Sequence, residues 1–202
     1  MTNSPALPAV KRLLLYVVGM VVLLSQSSCG YNTMVELDQK VKSQWANVQN
    51  SYQRRSDLIP NLVNTVKGAA NFEKSTLTQV IEARAKATSV QLSGDQLTPE
   101  NLKRFQEAQS QISSGLGRLL AVSENYPDLK ANANFQELQA QIEGTENRIN
   151  VERQKFNDAT NEYNTYVRSF PNNLFAGIFG FQQKPYFEAD ASAQKAPTVN
   201  FE

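Results

Sequence analysis

Cysteine and histidine, the residues that most often carry thiolate, imidazole and zinc chemistry, are almost absent from this chain. It has one cysteine, Cys29, and no histidine. Without histidine, a Ser-His-Asp or Cys-His relay has no base. Zinc sites built on imidazole or on several thiolates lack their donors as well. No Walker A loop occurs, and no GxGxxG follows a strand. The 19 Asp and Glu residues are scattered along helical faces, the ordinary arrangement of solvated charge. A paired-carboxylate hydrolase stays open on sequence alone. The expectation is a non-enzymatic chain with no cofactor, no metal and no small-molecule substrate.

Cys29 has no second cysteine to pair with inside the chain, so it cannot form an internal disulfide. Lys11 and Arg12 precede twelve mostly apolar residues, Leu13 to Leu24, and then come Ser25-Gln26-Ser27-Ser28-Cys29-Gly30. A basic start, an apolar run and small residues before a cut site make a secretory signal. Twelve helical residues rise about 18 Å, against a hydrocarbon core of about 30 Å. The stretch Ser27 to Gly30 resembles the lipobox of bacterial lipoproteins, in which the cysteine is acylated and becomes the new N-terminus. Gln26 departs from the aliphatic residue usual there. The alternative is an uncleaved single-pass anchor, with residues 10–29 as a tilted span. Both readings make membrane lipid a partner through the N-terminal segment. The cations before the run, with Glu36 and Asp38 as the first charges after it, place the body outside the cytoplasm, on the periplasmic side. The expected division is a signal or anchor segment over 1–30, a helical body over 31–187 and a disordered tail over 188–202.

Twenty basic and 19 acidic residues give a net charge of +1, without the basic surplus that a nucleic-acid partner requires. With 41% hydrophobic residues, the body can bury a core. Its periodicity is helical throughout. The first helix is expected from about Asn32 to about Ala70, with Leu37, Val41, Trp45, Val48, Tyr52, Ile59, Leu62 and Val66 in steps of three and four. Pro60 interrupts it and predicts a kink near Ser56. A second helix spans about Glu73 to Gln91, with Leu77, Val80, Ile81 and Ala85 inward. A third starts at the N-cap Thr98 and Pro99 and buries Leu102, Phe105, Ile112, Leu116 and Leu119. Gly115 and Gly117 weaken it by about 1 kcal/mol each unless close packing uses them. The fourth runs from about Asn134 to about Arg168 with a stripe from Phe135 through Phe156 to Val167. The fold class is all-α: an antiparallel up-down bundle of four long helices, a short C-terminal helix and a disordered tail.

Each long stripe contains a charged residue where an apolar one belongs. If the first and fourth helices are antiparallel with residue 34 facing 170, Arg55 faces residue 149, within a turn of Glu152 and Glu146. An Arg55–Glu152 ion pair is expected, setting register more than stability because desolvation offsets the attraction; the alternative is an Arg55 side chain that snorkels to water. Further on, Leu174, Phe175, Ile178, Phe179 and Phe181 form an apolar cluster with no charge before Lys184. Two roles are open to it: a cap over the end of the bundle, or a membrane or partner contact. The up-down topology returns this segment to the end that carries the anchor. In the tail, Pro197 to Phe201 alternates apolar and polar residues, a pattern able to add as a strand to a partner.

Several strings resemble the LemA family. They are Tyr31 to Leu37, Arg55-Ser-Asp-Leu-Ile-Pro-Asn-Leu-Val63, Val66-Lys-Gly68 and Glu82-Ala-Arg84. The later half adds Tyr126 to Ala131, Asn134 to Leu138 and Glu143-Gly-Thr-Glu-Asn-Arg-Ile149. Phe156-Asn157, Tyr163-Asn164, Phe170-Pro171, Phe179-Gly-Phe181 and Pro185-Tyr-Phe187 complete them. The resemblance implies a membrane-associated helical bundle with an N-terminal hydrophobic anchor and no assigned catalytic residues. Links of some members to membrane remodelling or to membrane peptidases are part of that implication, as is a body placed in the cytoplasm in some cases. Three roles follow for testing: an envelope scaffold or adaptor that holds a protein partner or self-associates, a membrane-shaping protein acting through the Phe-rich segment, and an accessory to a membrane peptidase.

Overall fold

The computed structural model describes residues 9–68 and 72–188, with the backbone alone at 9, 10, 12, 15 and 18–29. Among the described residues the chain is an all-α helical bundle with six α-helices and no strand. These are α1 (Ala9–Lys67), α2 (Lys74–Ser89), α3 (Pro99–Ser123), α4 (Pro127–Lys130), α5 (Ala133–Arg168) and α6 (Asn172–Phe179). None of them is long and apolar enough to cross a membrane. The expected disordered tail lies outside the described residues, except for Glu188.

The first helix departs from expectation at its start. Helical backbone begins at Ala9 and passes through residue 30 without a break. The intervening residues are mostly Leu, Val, Met and Ser with no proline, so nothing forces the helix to stop before Asn32. The helix also continues through Pro60. A proline has no N–H to give to the carbonyl four residues earlier. Here Arg84 fills that vacancy, because its Nε–H donates to the Ser56 carbonyl at 2.9 Å. An otherwise orphaned backbone acceptor is satisfied from the neighbouring helix.

The chain divides into two compact units, Met1–Lys40 with Glu162–Gln183, and Val41–Asn161 with Lys184–Glu202. In the larger unit, Ile59, Leu62 and Val66 of α1 form one core cluster with Leu77 and Val80 of α2, Ile112, Leu116 and Leu119 of α3, and Phe135 and Ile142 of α5. The α2 face is rotated from the expected one. Leu77 and Val80 are buried, but Ile81 and Ala85 face out, while Thr76, Ala83 and Ala87 face in. Glu73, at the start of α2, accepts from the hydroxyls of Ser75 and Thr76, and these bonds hold its carboxyl below the ordinary range.

Helix α3 begins as its sequence predicts. The Thr98 side chain accepts from the Asn101 N–H at 3.2 Å, and Pro99 opens the helix. All five expected stripe residues are buried. The two glycines separate. A Cβ at Gly115 would sit 3.4 Å from Val80 Cγ2, so α2 and α3 approach closely there, whereas a Cβ at Gly117 would meet nothing within 4 Å. Gly117→Ala is therefore expected to raise stability by about 0.4–1 kcal/mol through loss of unfolded-state freedom. Urea unfolding of the two chains side by side measures this.

A second aromatic core surrounds the chain's one tryptophan. Trp45 Nε1 donates to the Leu92 carbonyl at 2.7 Å, and Gln49 Nε2 shares that acceptor at 2.8 Å. The Trp45 ring meets Phe105 and Phe156 edge-on and stacks on Phe187, at 5.1, 5.7 and 6.0 Å between centroids.

Candidate functional site

In the smaller unit, α6 follows Pro171 and ends at Gly180. There φ is +76°, a left-handed conformation that glycine adopts without the clash a Cβ would bring. The N–H of Phe181 bonds the Ala176 carbonyl at 2.9 Å and closes the helix. Only Ala176 of α6 is fully buried. Leu174 is 58% exposed, Ile178 75% and Phe179 51%, with Phe170 just before them at 82%. Phe175 and Phe181 are half-buried. Of the five residues expected to make a contact surface, Leu174, Ile178 and Phe179 are exposed and Phe175 and Phe181 are half-buried.

The seat is the part of α1 that follows the apolar run. The Tyr31 ring meets Phe179 and Phe181 edge-on at 5.0 and 5.7 Å. A Cβ at Gly30 would lie 3.3 Å from Asn172 Oδ1. Tyr163 O–H donates to the Gln182 carbonyl at 2.9 Å and ties the segment after α6 back to α5. Leu13, Leu14, Tyr16 and Val17, in the apolar run itself, are also exposed. Cys29 lies on the α1 backbone between the run and this seat, and its side chain is outside the described residues.

In the larger unit, Arg55 is 1% exposed, as its place in the apolar stripe requires. Its carboxylate partner is Glu146, at 2.5 Å, and not Glu152. Arg55 Nη1 also donates to Ser113 Oγ at 2.8 Å, and Nη2 donates to Gln109 Oε1 and the Gln109 carbonyl at 2.7 and 3.2 Å. The Tyr52 ring lies 5.1 Å from the guanidinium carbon. Glu152 is buried, but its carboxylate meets Lys155 at 3.2 Å and Arg148 at 4.0 Å on its own helix.

Register explains the correction. Lys40 pairs with Glu162 and Arg55 with Glu146, two and three residues earlier on α5 than the expected pairing places them. That shift carries Glu152 away and brings Glu146 opposite. Gln109 and Ser113 were not foreseen in this site. The signal for Gln109 was the six-residue gap in the α3 stripe between Phe105 and Ile112, where its polar side chain is buried at a core position; Ser113, outside that gap, had none.

The pattern that defines the LemA family matches residues 44–201. The chain is 25% identical to magnetosome protein MamQ 2 of Paramagnetospirillum magneticum over 189 residues, 85% of this chain and 70% of that one. It is 24% identical to magnetosome protein MamQ of Magnetospirillum gryphiswaldense over 197 residues, 89% of this chain and 72% of that one. It is also 25% identical to protein LemA of Metamycoplasma hominis over 158 residues, 78% of this chain and 68% of that one. With the family pattern spanning most of the helical body, this chain belongs to the LemA family.

Proposed function

We propose that the protein is a non-enzymatic, membrane-anchored helical scaffold or adaptor of the bacterial cell envelope. In this reading Cys29 carries the lipid and the body lies on the periplasmic side. The observation that carries the reading is the exposed apolar face of α6, seated on Tyr31 and beside Gly30, directly after the apolar run of α1. A helix that exposes Leu174, Ile178 and Phe179 at that position suits the boundary between headgroups and acyl chains, where apolar side chains are withdrawn from water. Relatives whose names place them in magnetosomes, together with membership of the LemA family, support a membrane setting. The absence of histidine and the commitment of Glu146 to Arg55 support a binding rather than a catalytic role.

The same face supports a second reading, in which α6 acts as a wedge that shapes the bilayer. Intact-mass analysis of the full chain extracted from membranes of a Gram-negative host tests the anchor. A mass lacking residues 1–28 and carrying acyl chains is expected. An unprocessed mass replaces the lipoprotein with a single-pass anchor. Recovery of the whole chain in the soluble fraction overturns membrane anchoring.

A further inference from the structure

The sequence around α6 carries a single charge. Between Tyr163 and Gln183 it holds no Asp, Glu or Lys, and Arg168 alone is ionised. Arg168 is exposed in the last turn of α5. Among the described residues its side chain has no ion pair and no hydrogen bond. The carboxylates of the smaller unit are placed elsewhere. Glu162, six residues earlier on α5, pairs with Lys40. Glu36 and Asp38 lie five and seven residues past Tyr31 on α1.

A cation at a helix C-terminus meets the partial negative charge of the last carbonyls. That attraction does not account for the apolar residues that follow. Phe170 is 82% exposed, and Leu174 and Ile178, at the next two fourth positions, are 58% and 75% exposed. Hydrogen bonds fix the turn between Arg168 and α6. The Ser169 N–H donates to the Thr165 carbonyl at 3.0 Å, the Asn173 N–H to the Ser169 carbonyl at 2.9 Å, and Asn172 Nδ2 to Ser169 Oγ at 3.2 Å. Covalent geometry keeps the Cα atoms of Arg168 and Phe170 within about 7 Å, so the cation stands at the start of the exposed apolar row.

An apolar helical face bordered by a cation and by no carboxylate is suited to a bilayer surface of negative charge. The arginine stem lies along apolar surface while the guanidinium reaches outward, and its planar fork bonds two phosphate oxygens at once. From this we infer that the α6 surface selects anionic phospholipid, with Arg168 on the headgroup phosphate and Phe170, Leu174 and Ile178 among the upper acyl chains. A zwitterionic headgroup carries its own cation beside the phosphate, and that cation competes with the guanidinium. The headgroup of phosphatidylglycerol carries none. The inference rests on the proposed bilayer contact of α6 and adds the charge of the lipid to it.

The test uses the full chain carrying Phe170→Trp, reconstituted in vesicles of equal parts phosphatidylcholine and phosphatidylglycerol. The exposure of Phe170 leaves room for the indole, and Trp45, 1% exposed in the larger unit, adds a constant signal. Bromine is carried on the acyl chains of phosphatidylglycerol alone in one preparation and of phosphatidylcholine alone in the other. Brominated phosphatidylglycerol is expected to quench the added indole about fivefold more strongly, the ratio that one basic residue near an anionic surface provides. Arg168→Gln is expected to bring the two quenching values together, and Arg168→Lys to keep most of the difference. Equal quenching by the two lipids with Arg168 in place overturns the inference and leaves the bilayer contact standing. Quenching by neither removes the bilayer contact and the inference with it. A preference that survives Arg168→Gln overturns the assignment to Arg168.

Discussion

Arg55→Ala is expected to cost about 3–5 kcal/mol of unfolding free energy, the range for removing one partner from a buried ion pair. The residue is 1% exposed and its guanidinium serves Glu146, Ser113 and two oxygens of Gln109 at once. Truncation strands Gln109, itself buried, and leaves a void beside it. Replacing the pair together, as Arg55→Met with Glu146→Leu, is expected to cost less than the sum of the single changes, because Glu146→Leu alone leaves the buried Arg55 charge uncompensated. The same comparison at Arg55 and Glu152 is expected to show additive costs, since those side chains do not meet. Urea unfolding of the single and double variants measures both couplings. Additive costs at Arg55 and Glu146 would contradict the assignment.

Phe187→Ala is expected to cost about 3–5 kcal/mol, as large-to-small changes at buried aromatics do. Phe187 is 6% exposed, although it lies in a segment with no regular secondary structure. Its ring stacks on Trp45, meets Phe156 edge-on at 5.4 Å and lies under Arg153. The Asn157 clamp on its backbone fixes where the ring enters. Because Trp45 is the only tryptophan, its fluorescence reports the change directly, and a red shift is expected together with the loss of stability. A cost below about 1 kcal/mol would mean that the segment merely lies on the surface.

The helices were legible in the sequence because three-four spacing records which face each helix buries, and the α3 stripe is buried at every expected position. What spacing does not record is the register between helices far apart in sequence. An offset of three residues along α5 was enough to move the Arg55 partner from Glu152 to Glu146. The rotation of α2 had a similar origin. Its small residues Ala83 and Ala87 are buried on the face that carries Val80, where Gly115 lets α3 come close, whereas apolar character alone favoured Ile81. The apolar cluster at α6 was visible, but its division into seated and exposed residues depended on where Tyr31 lies. Ser113 beside Arg55 was hidden for a different reason: serine on a helix reads as solvated surface until another helix is placed against it.

The membrane placement of α6 is tested most directly by the depth of Ile178 in a bilayer. The full chain carrying Ile178→Trp in a Trp45→Phe background would be reconstituted in vesicles whose acyl chains bear bromine either just below the headgroups or near the bilayer centre. Strong quenching of the introduced indole by the shallow bromines, and weak quenching by the deep ones, is predicted for an interfacial helix. Vesicle-bound protein whose indole is quenched by neither would contradict the proposed contact and leave α6 facing water or a protein partner.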